Sequence, residues 1–229
     1  NTTASNNTAI GLSAMNVNTT GSSCVAIGNN SLDANTSGGS NIAIGSYALS
    51  TNTTAGNNTA IGAGALELNT TGADNVAVGA NALDANTTAS NNVAIGKHAL
   101  GLNTTGANNV AVGMNCADAN TTGSAIVAVG AGALGANTTG GSNTALGNNA
   151  LDANTTASNN TAVGTGSLFS NTTGTENVAV GATALDANTT GNFNTAVGFK
   201  SLSAVTTGER NTAIGRSALN LNTGSKNTA

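Results

Sequence analysis

Proline and tryptophan are absent from the 229 residues, and there are only one histidine, one tyrosine, three phenylalanines and two cysteines. With no proline, no backbone N–H is missing, which suits stacked strands that need every donor. Charged residues make up 6% of the chain, against roughly a quarter in an ordinary globular domain. So few ionisable groups leave little from which to build an active site, and the chain is expected not to be an enzyme. Five basic residues and a pI near 4.5 lack the basic footprint of a nucleic-acid binder. No apolar run approaches the length of a membrane helix, so no membrane insertion by this segment is expected. The opening Asn1-Thr2-Thr3-Ala4-Ser5-Asn6 has neither a charged start nor an apolar core, so no signal peptide is expected in this stretch. Disorder is excluded as well, because 38% apolar residues with a net charge of −4 do not make a poorly hydrophobic, highly charged chain.

What is there is a repeat. The glycine closing each Ala-Ile-Gly or Ala-Val-Gly triplet, Ala145-Leu146-Gly147 in one copy, recurs at Gly11, Gly28, Gly45 and onward to Gly215, thirteen times at an interval of 17. The unit reads Asn-Thr/Val-Ala-Ile/Val-Gly-x-x-Ala-Leu-x-x-Asn-Thr-Thr-Gly-x-x. Only Asn222-Thr223-Gly224 departs, by one missing Thr. The chain begins and ends inside a unit, and residues 1–229 are expected to be one continuous array, a fragment of a longer fibre. Helical-pair repeats need about 33 residues or more, so 17 point instead to one coil of a solenoid. The fold expected is all-β, a parallel β-solenoid with two short strands and two turns per coil. At the spacing of neighbouring strands, thirteen coils would give a rod of roughly 60 Å.

The invariant glycine is expected to meet a positive φ or a close backbone approach. The glycine after Thr-Thr gives way to Ala55, Ala89 and Ala157, so that turn should not require a left-handed residue. Side chains along a strand alternate between its faces. Pairs such as Val76 and Val78, or Thr59 and Ile61, share one face, while Ala9, Ala26, Ala43 and their equivalents to Ala213 occupy the other. A position that never drifts from Ala reads as covered. Because a small coil covers one side of its strand, a second chain is expected over the Ala face, and Ala111→Lys is expected to break association. Leu49, Leu66 and Leu134 add one interior Leu per coil. These few side chains bring roughly 1.5–3 kcal/mol each when buried, too little against the backbone entropy of ordering a coil. An isolated coil should not fold, and a stacked array should.

The units Asn-Thr-Ala-Ile-Gly-x-x-Ala-Leu-x-x-Asn-Thr-Thr-Gly resemble the head repeats of trimeric autotransporter adhesins. They are more similar still to 17-residue arrays in tail-fibre and adhesin-like proteins of bacteria, phages and large algal viruses. The resemblance runs the length of the chain. It implies a left-handed β-roll in a homotrimer, serving as the rod or head of an extracellular fibre on a cell or virion surface. Its implied partners are its own copies, flanking fibre domains, and a host glycan or protein. Adhesin heads usually repeat near 14 residues, so the 17-residue coil departs from them.

Candidate sites are few. Asn18, Asn35, Asn52 and their successors form one ladder, and Asn41, Asn58, Asn75 and theirs a second. Such residues cap turns and stack on one another, and Asn-Thr-Thr also reads as a glycosylation acceptor. Asn137→Ala is expected to cost little, since a ladder shares its bonds. Val205 interrupts the first ladder. The Thr pairs, such as Thr53-Thr54 and Thr138-Thr139, raise ice binding. Adjacent residues point to opposite faces of a strand or sit in a turn, which argues against a flat Thr lattice. Asp33, Asp84, Asp118, Asp152 and Asp186 share one position but should stand two or three coils apart, too sparse for calcium. Cys24 and Cys116 lie too many coils apart to pair, and Cys116 reads as a small buried residue. His98 has no recurring partner. No catalytic, cofactor-binding or metal-ligating residue is identified, and no cofactor is expected. Residues 1–199 carry −7 and residues 200–229 carry +3, from drift or from a differently charged neighbour. Phe169, Phe193 and Phe199 suit stacking on a sugar or sealing a seam between chains.

Two functional readings follow. The first is a structural rod or head of an adhesive fibre presenting a tip to a surface. The alternative is a monomeric solenoid with a flat face for ice or glycan.

Overall fold

The computed structural model describes residues 3–229. The chain divides into two compact units, one ending at Asn109 and the other Val110–Ala229. The first holds six strands: β1 (Thr8–Ile10), β2 (Val25–Ile27), β3 (Ile42–Ile44), β4 (Thr59–Ile61), β5 (Val76–Val78) and β6 (Val93–Ile95). The second holds seven: β7 (Val110–Val112), β8 (Val127–Val129), β9 (Thr144–Leu146), β10 (Thr161–Val163), β11 (Val178–Val180), β12 (Thr195–Val197) and β13 (Thr212–Ile214). Within each unit the strands pair in parallel with their sequence neighbours, Ala on Ala, as in Ala60↔Ala77 and Ala162↔Ala179. Each unit is therefore a parallel β-solenoid with one coil per 17 residues.

Each coil has one strand of three residues rather than the two strands expected. The second apolar station, Ala-Leu, lies in turns. In the coil of β5, Asn81 has φ 56° and Leu83 φ 52°, and the same two positions are left-handed in most coils. A left-handed L-residue costs roughly 1–2 kcal/mol. What offsets this is the direction it gives the backbone donors. The Asn81 N–H donates back to Ala63 O at 3.0 Å, and the Leu83 N–H donates forward to Ala99 O at 3.1 Å. Every second donor of the turn thus ties one coil to another, while Leu83 itself is fully buried.

The invariant glycines all have a positive φ, and those followed by a further coil also meet a close backbone approach, which Gly215 does not. Their φ lies between +127° and +142°, and a Cβ on Gly130 would sit 2.5 Å from the carbonyl carbon of Gly147 one coil on. The glycines after Thr-Thr, such as Gly72 and Gly123, show no left-handed φ, so Ala55, Ala89 and Ala157 meet no backbone strain there, although room is short at the glycines themselves: a Cβ on Gly123 would come within 2.5 Å of Asn120 Oδ1.

The Ala face is covered, but by the chain itself. Ala26, Ala43, Ala60 and their equivalents through Ala213 have no exposed surface in a single chain. They point inward against Leu and Asn, and the β-branched residues on either side point out. The expectation that a second chain covers the Ala face is therefore corrected: the interior is thin enough that Ala fills it. Only Ala9, in the first coil, is exposed.

Candidate functional site

The interior is partly polar, with two columns of Asn among the buried residues. Along the unbroken part of the first ladder the Asn side chain donates twice, to the ladder Asn one coil back and to the turn carbonyl three residues ahead. Asn69 Nδ2 reaches Asn52 Oδ1 at 3.0 Å and Gly72 O at 2.9 Å. In the second unit Asn154 Nδ2 reaches Asn137 Oδ1 at 2.9 Å and Ala157 O at 3.0 Å. In the second ladder the side chain spans forward, as Asn58 Nδ2 does to Gly72 O at 2.9 Å. Its Oδ1 meanwhile accepts the backbone N–H of Asn75 at 3.0 Å. Both ladders are buried, the first from Asn18 to Asn188 and the second from Asn41 to Asn211. The sequon asparagines of these coils thus have their amide hydrogens committed inside the fold, and the structural reading of the ladders is the one the geometry supports. Two apolar residues take places in the second ladder, Cys24 and Ile126, both fully buried. The 17-residue interval assigns both places, one coil before Asn41 and one coil after Asn109.

Both cysteines are free and buried. The Cys116 Sγ donates to Ala128 O at 3.2 Å, and burial pushes its pKa up to about 12. Burial also raises that of Cys24. Both stay thiols near neutral pH, so neither is an activated nucleophile. His98 lies close enough to Asp84 to hold that carboxyl down in part, although burial outweighs it and raises Asp84 overall. Among the described residues no group of three or more His, Cys, Asp or Glu gathers as metal ligands would. No helix of the described residues is long and apolar enough to cross a membrane.

Three surfaces remain. The first is the outward side of the strands, where two ranks of Thr, Val, Ile and Leu flank the buried Ala. Ile42, Ile61 and Ile95 in the first unit, and Val127, Val129 and Val178 in the second, keep more than a third of their surface exposed. The second is the Thr-Thr turn. The pair lies outside the strands, in the turn that is one of the two placements expected of adjacent Thr, with the first mostly half-buried and the second exposed. The first hydroxyl is used to align the rank: Thr53 Oγ1 donates to Thr70 O at 3.2 Å, and Thr138 Oγ1 to Thr155 O at 3.0 Å. The second Thr is exposed in coil after coil, at Thr54, Thr71 and Thr88 in the first unit and at Thr122, Thr139 and Thr156 in the second.

The third surface is a cleft of about 410 Å³ in the second unit, with Phe169, Thr183 and Asp186 in its lining. The Asp column that looked too sparse for calcium contributes one wall here. The other two phenylalanines are engaged elsewhere. Arg210 lies 5.5 Å from the ring centre of Phe193, and Lys200 and Arg216 lie 5.5 and 5.8 Å from that of Phe199. Much of the positive charge of residues 200–229 is thus spent on these cation–π contacts. No family model, curated protein or solved structure matches the chain.

Proposed function

We propose that the chain is a non-enzymatic β-solenoid binding module whose Thr rank engages an extended, periodic, hydroxyl-rich surface, such as ice or a crystalline polysaccharide. The observation that carries this reading is the exposed second Thr of the turn, repeated coil by coil with its neighbour's hydroxyl tied to the backbone. Within each unit parallel pairing sets the step between ranks at about 4.8 Å. A row of methyl and hydroxyl groups at that fixed step needs little ordering on binding, which is where pre-organised surfaces gain affinity. The test is ice-affinity partition and thermal hysteresis, alongside pull-down on insoluble cellulose and chitin. Wild-type protein should enter at least one solid phase, and Thr122→Tyr with Thr139→Tyr and Thr156→Tyr together should expel it. Equal partition of wild type and triple variant would refute the reading.

A second reading is favoured by the strand face. Its outer ranks are rich in Val and Ile, and a contiguous apolar patch of this kind ordinarily marks an interaction surface. On that reading copies of the chain associate through the β-branched ranks, most simply as the homotrimer that the repeat's resemblance implies. The segment is then the rod or head of an extracellular or virion-surface fibre, joined to flanking fibre domains and presented to a host glycan or protein. Light scattering separates the two readings: a particle of three times 21.7 kDa supports the fibre, and a folded monomer at all concentrations refutes it.

A further inference from the structure

We infer that the cleft of the second unit is a binding site for a neutral pyranose sugar, separate from both the Thr rank and the strand face. Its cause is a missing side chain. Asn149, Gly166 and Thr183 occupy the same position in consecutive coils, two residues after the invariant glycine. Two other glycines take that position, Gly64 and Gly132. Beside each, the Asn of the next coil fills the space: a Cβ on Gly64 would meet Asn81 Oδ1 at 3.0 Å, and one on Gly132 would meet Asn149 Oδ1 at 2.6 Å. Gly166 is followed instead by the shorter Thr183, and its Cβ would meet only Thr183 Cγ2 at 3.7 Å. The space stays open.

What surrounds it is suited to a sugar. Four buried oxygens among the described residues have no hydrogen-bond partner: those of Asp33, Thr183, Asp186 and Asn188. The Asn188 oxygen is accounted for by Val205 in the next coil. Two of the remaining three, Thr183 Oγ1 and Asp186 Oδ1, belong to side chains that line this one cleft. A buried polar atom left without a partner is unfavourable, so a ligand supplying both partners is favoured. Thr183 has a φ of 51° and is the one β-branched residue at positive φ among the described residues. Strain of that kind gathers at binding sites.

Phe169 is 41% exposed at the cleft and, unlike Phe193 and Phe199, is not one of the rings found beneath a cation. In its own column it stands between Asp152 and Asp186, one coil to either side. A pyranose offers a flat C–H face to such a ring and adjacent hydroxyls at its rim. One hydroxyl donates to Asp186 Oδ1, and its neighbour exchanges a hydrogen bond with Thr183 Oγ1. Asn149, also in the lining, offers its amide to a further hydroxyl, and Asn148 has one amide hydrogen beyond the one it donates to Ala131 O at 3.0 Å. The carboxylates of Asp186 and Asp152 repel carboxylated or sulfated sugars, which fixes the class as neutral.

The experiment is saturation-transfer NMR with the methyl pyranosides of glucose, galactose, mannose and N-acetylglucosamine, each at millimolar concentration. Gly166→Asn is the decisive variant. Asn tolerates the left-handed φ of 62° and is what other coils carry there, so the cleft fills while the coil keeps its shape. Wild-type protein should transfer saturation to at least one sugar. Gly166→Asn and Phe169→Ala should weaken that binding tenfold or more, with an unchanged melting curve for Gly166→Asn. Absence of transfer in wild type, or undiminished transfer in Gly166→Asn, overturns the proposal. The Thr122/Thr139/Thr156 triple variant should bind the sugar normally, so failure of the Thr-rank reading and failure of this one are distinguishable.

Discussion

Asn188 and Val205 occupy the same place in successive coils, and the second leaves the first short of a hydrogen bond. Asn188 donates to Asn171 Oδ1 at 2.8 Å and to Gly191 O at 3.0 Å, but its own Oδ1 is buried without a partner. In an unbroken stretch the next Asn would donate there, and Val205, fully buried, has nothing to give. Val205→Asn should therefore stabilise the second unit. Its Nδ2 would reach Asn188 Oδ1 and the Gly208 carbonyl, as Asn154 does with Asn137 and Ala157. The gain expected is about 1 kcal/mol for the restored bond, read as a raised urea midpoint at unchanged slope. A lowered midpoint would mean that the packing of Val205 outweighs the orphaned oxygen.

Asn137→Ala tests the same chemistry in reverse. The side chain donates to Asn120 Oδ1 and Gly140 O, each at 2.9 Å, and accepts from Asn154 at 2.9 Å. A ladder read from sequence suggests bonds shared widely enough for one loss to be absorbed. The geometry says otherwise, because each bond is local and buried. Truncation strands polar atoms at about 1–3 kcal/mol apiece, and a total loss of about 3 kcal/mol is expected in chemical denaturation. A loss under about 0.5 kcal/mol would show that water enters the coil and replaces the amide.

The 17-residue register was legible in the sequence because the Gly, Ala and Asn positions repeat without insertion. So were the interior Leu and the demand on the invariant glycines. Which way the strand faces was not. Val-Ala-Val alternates the same way whether Ala or Val points inward, and ordinary cores favour the larger residue. Here the turns bring Leu83 and Asn86 into the same interior as Ala77, and the space left beside the strand fits a methyl group. Left-handed Leu residues were also invisible, since nothing in local propensity places a Leu at φ 52°. The cleft depends on Gly166 being followed by Thr183 rather than Asn, a contrast between neighbouring coils that the consensus erases.

Ala111→Lys separates the two views of the Ala face. Were that face a seam between chains, a charge there would dissociate folded subunits. Ala111 lies inside its own coil with no exposed surface, and Ala128 pairs with it in the next strand. A lysine there must bury its charge or force the coil open, a cost of several kcal/mol. The expected outcome is loss of the solenoid's circular-dichroism signal and of cooperative melting in the second unit, whatever the oligomeric state. A variant that stayed folded with only its mass reduced would return the Ala face to an interface.

The response to acid should run opposite to that of most proteins. Asp84, Asp152 and Asp186 all have pKa values raised above 3.8, in each case chiefly by burial. The folded chain therefore holds these protons at a pH where the unfolded chain has released them. Stability falls as pH rises wherever the folded state binds more protons. The contribution is fully present below the ordinary Asp value of 3.8 and is lost as pH climbs through the raised values. Protonation also suits Asp186 and Asp152 individually, since neither has to hold a charge against its partial burial. Melting temperature should accordingly be higher just below pH 3.8 than at pH 7, and Asp152→Asn should flatten the difference in the second unit. A melting temperature that drops on acidification would mean that these carboxylates are solvated more fully than their burial implies.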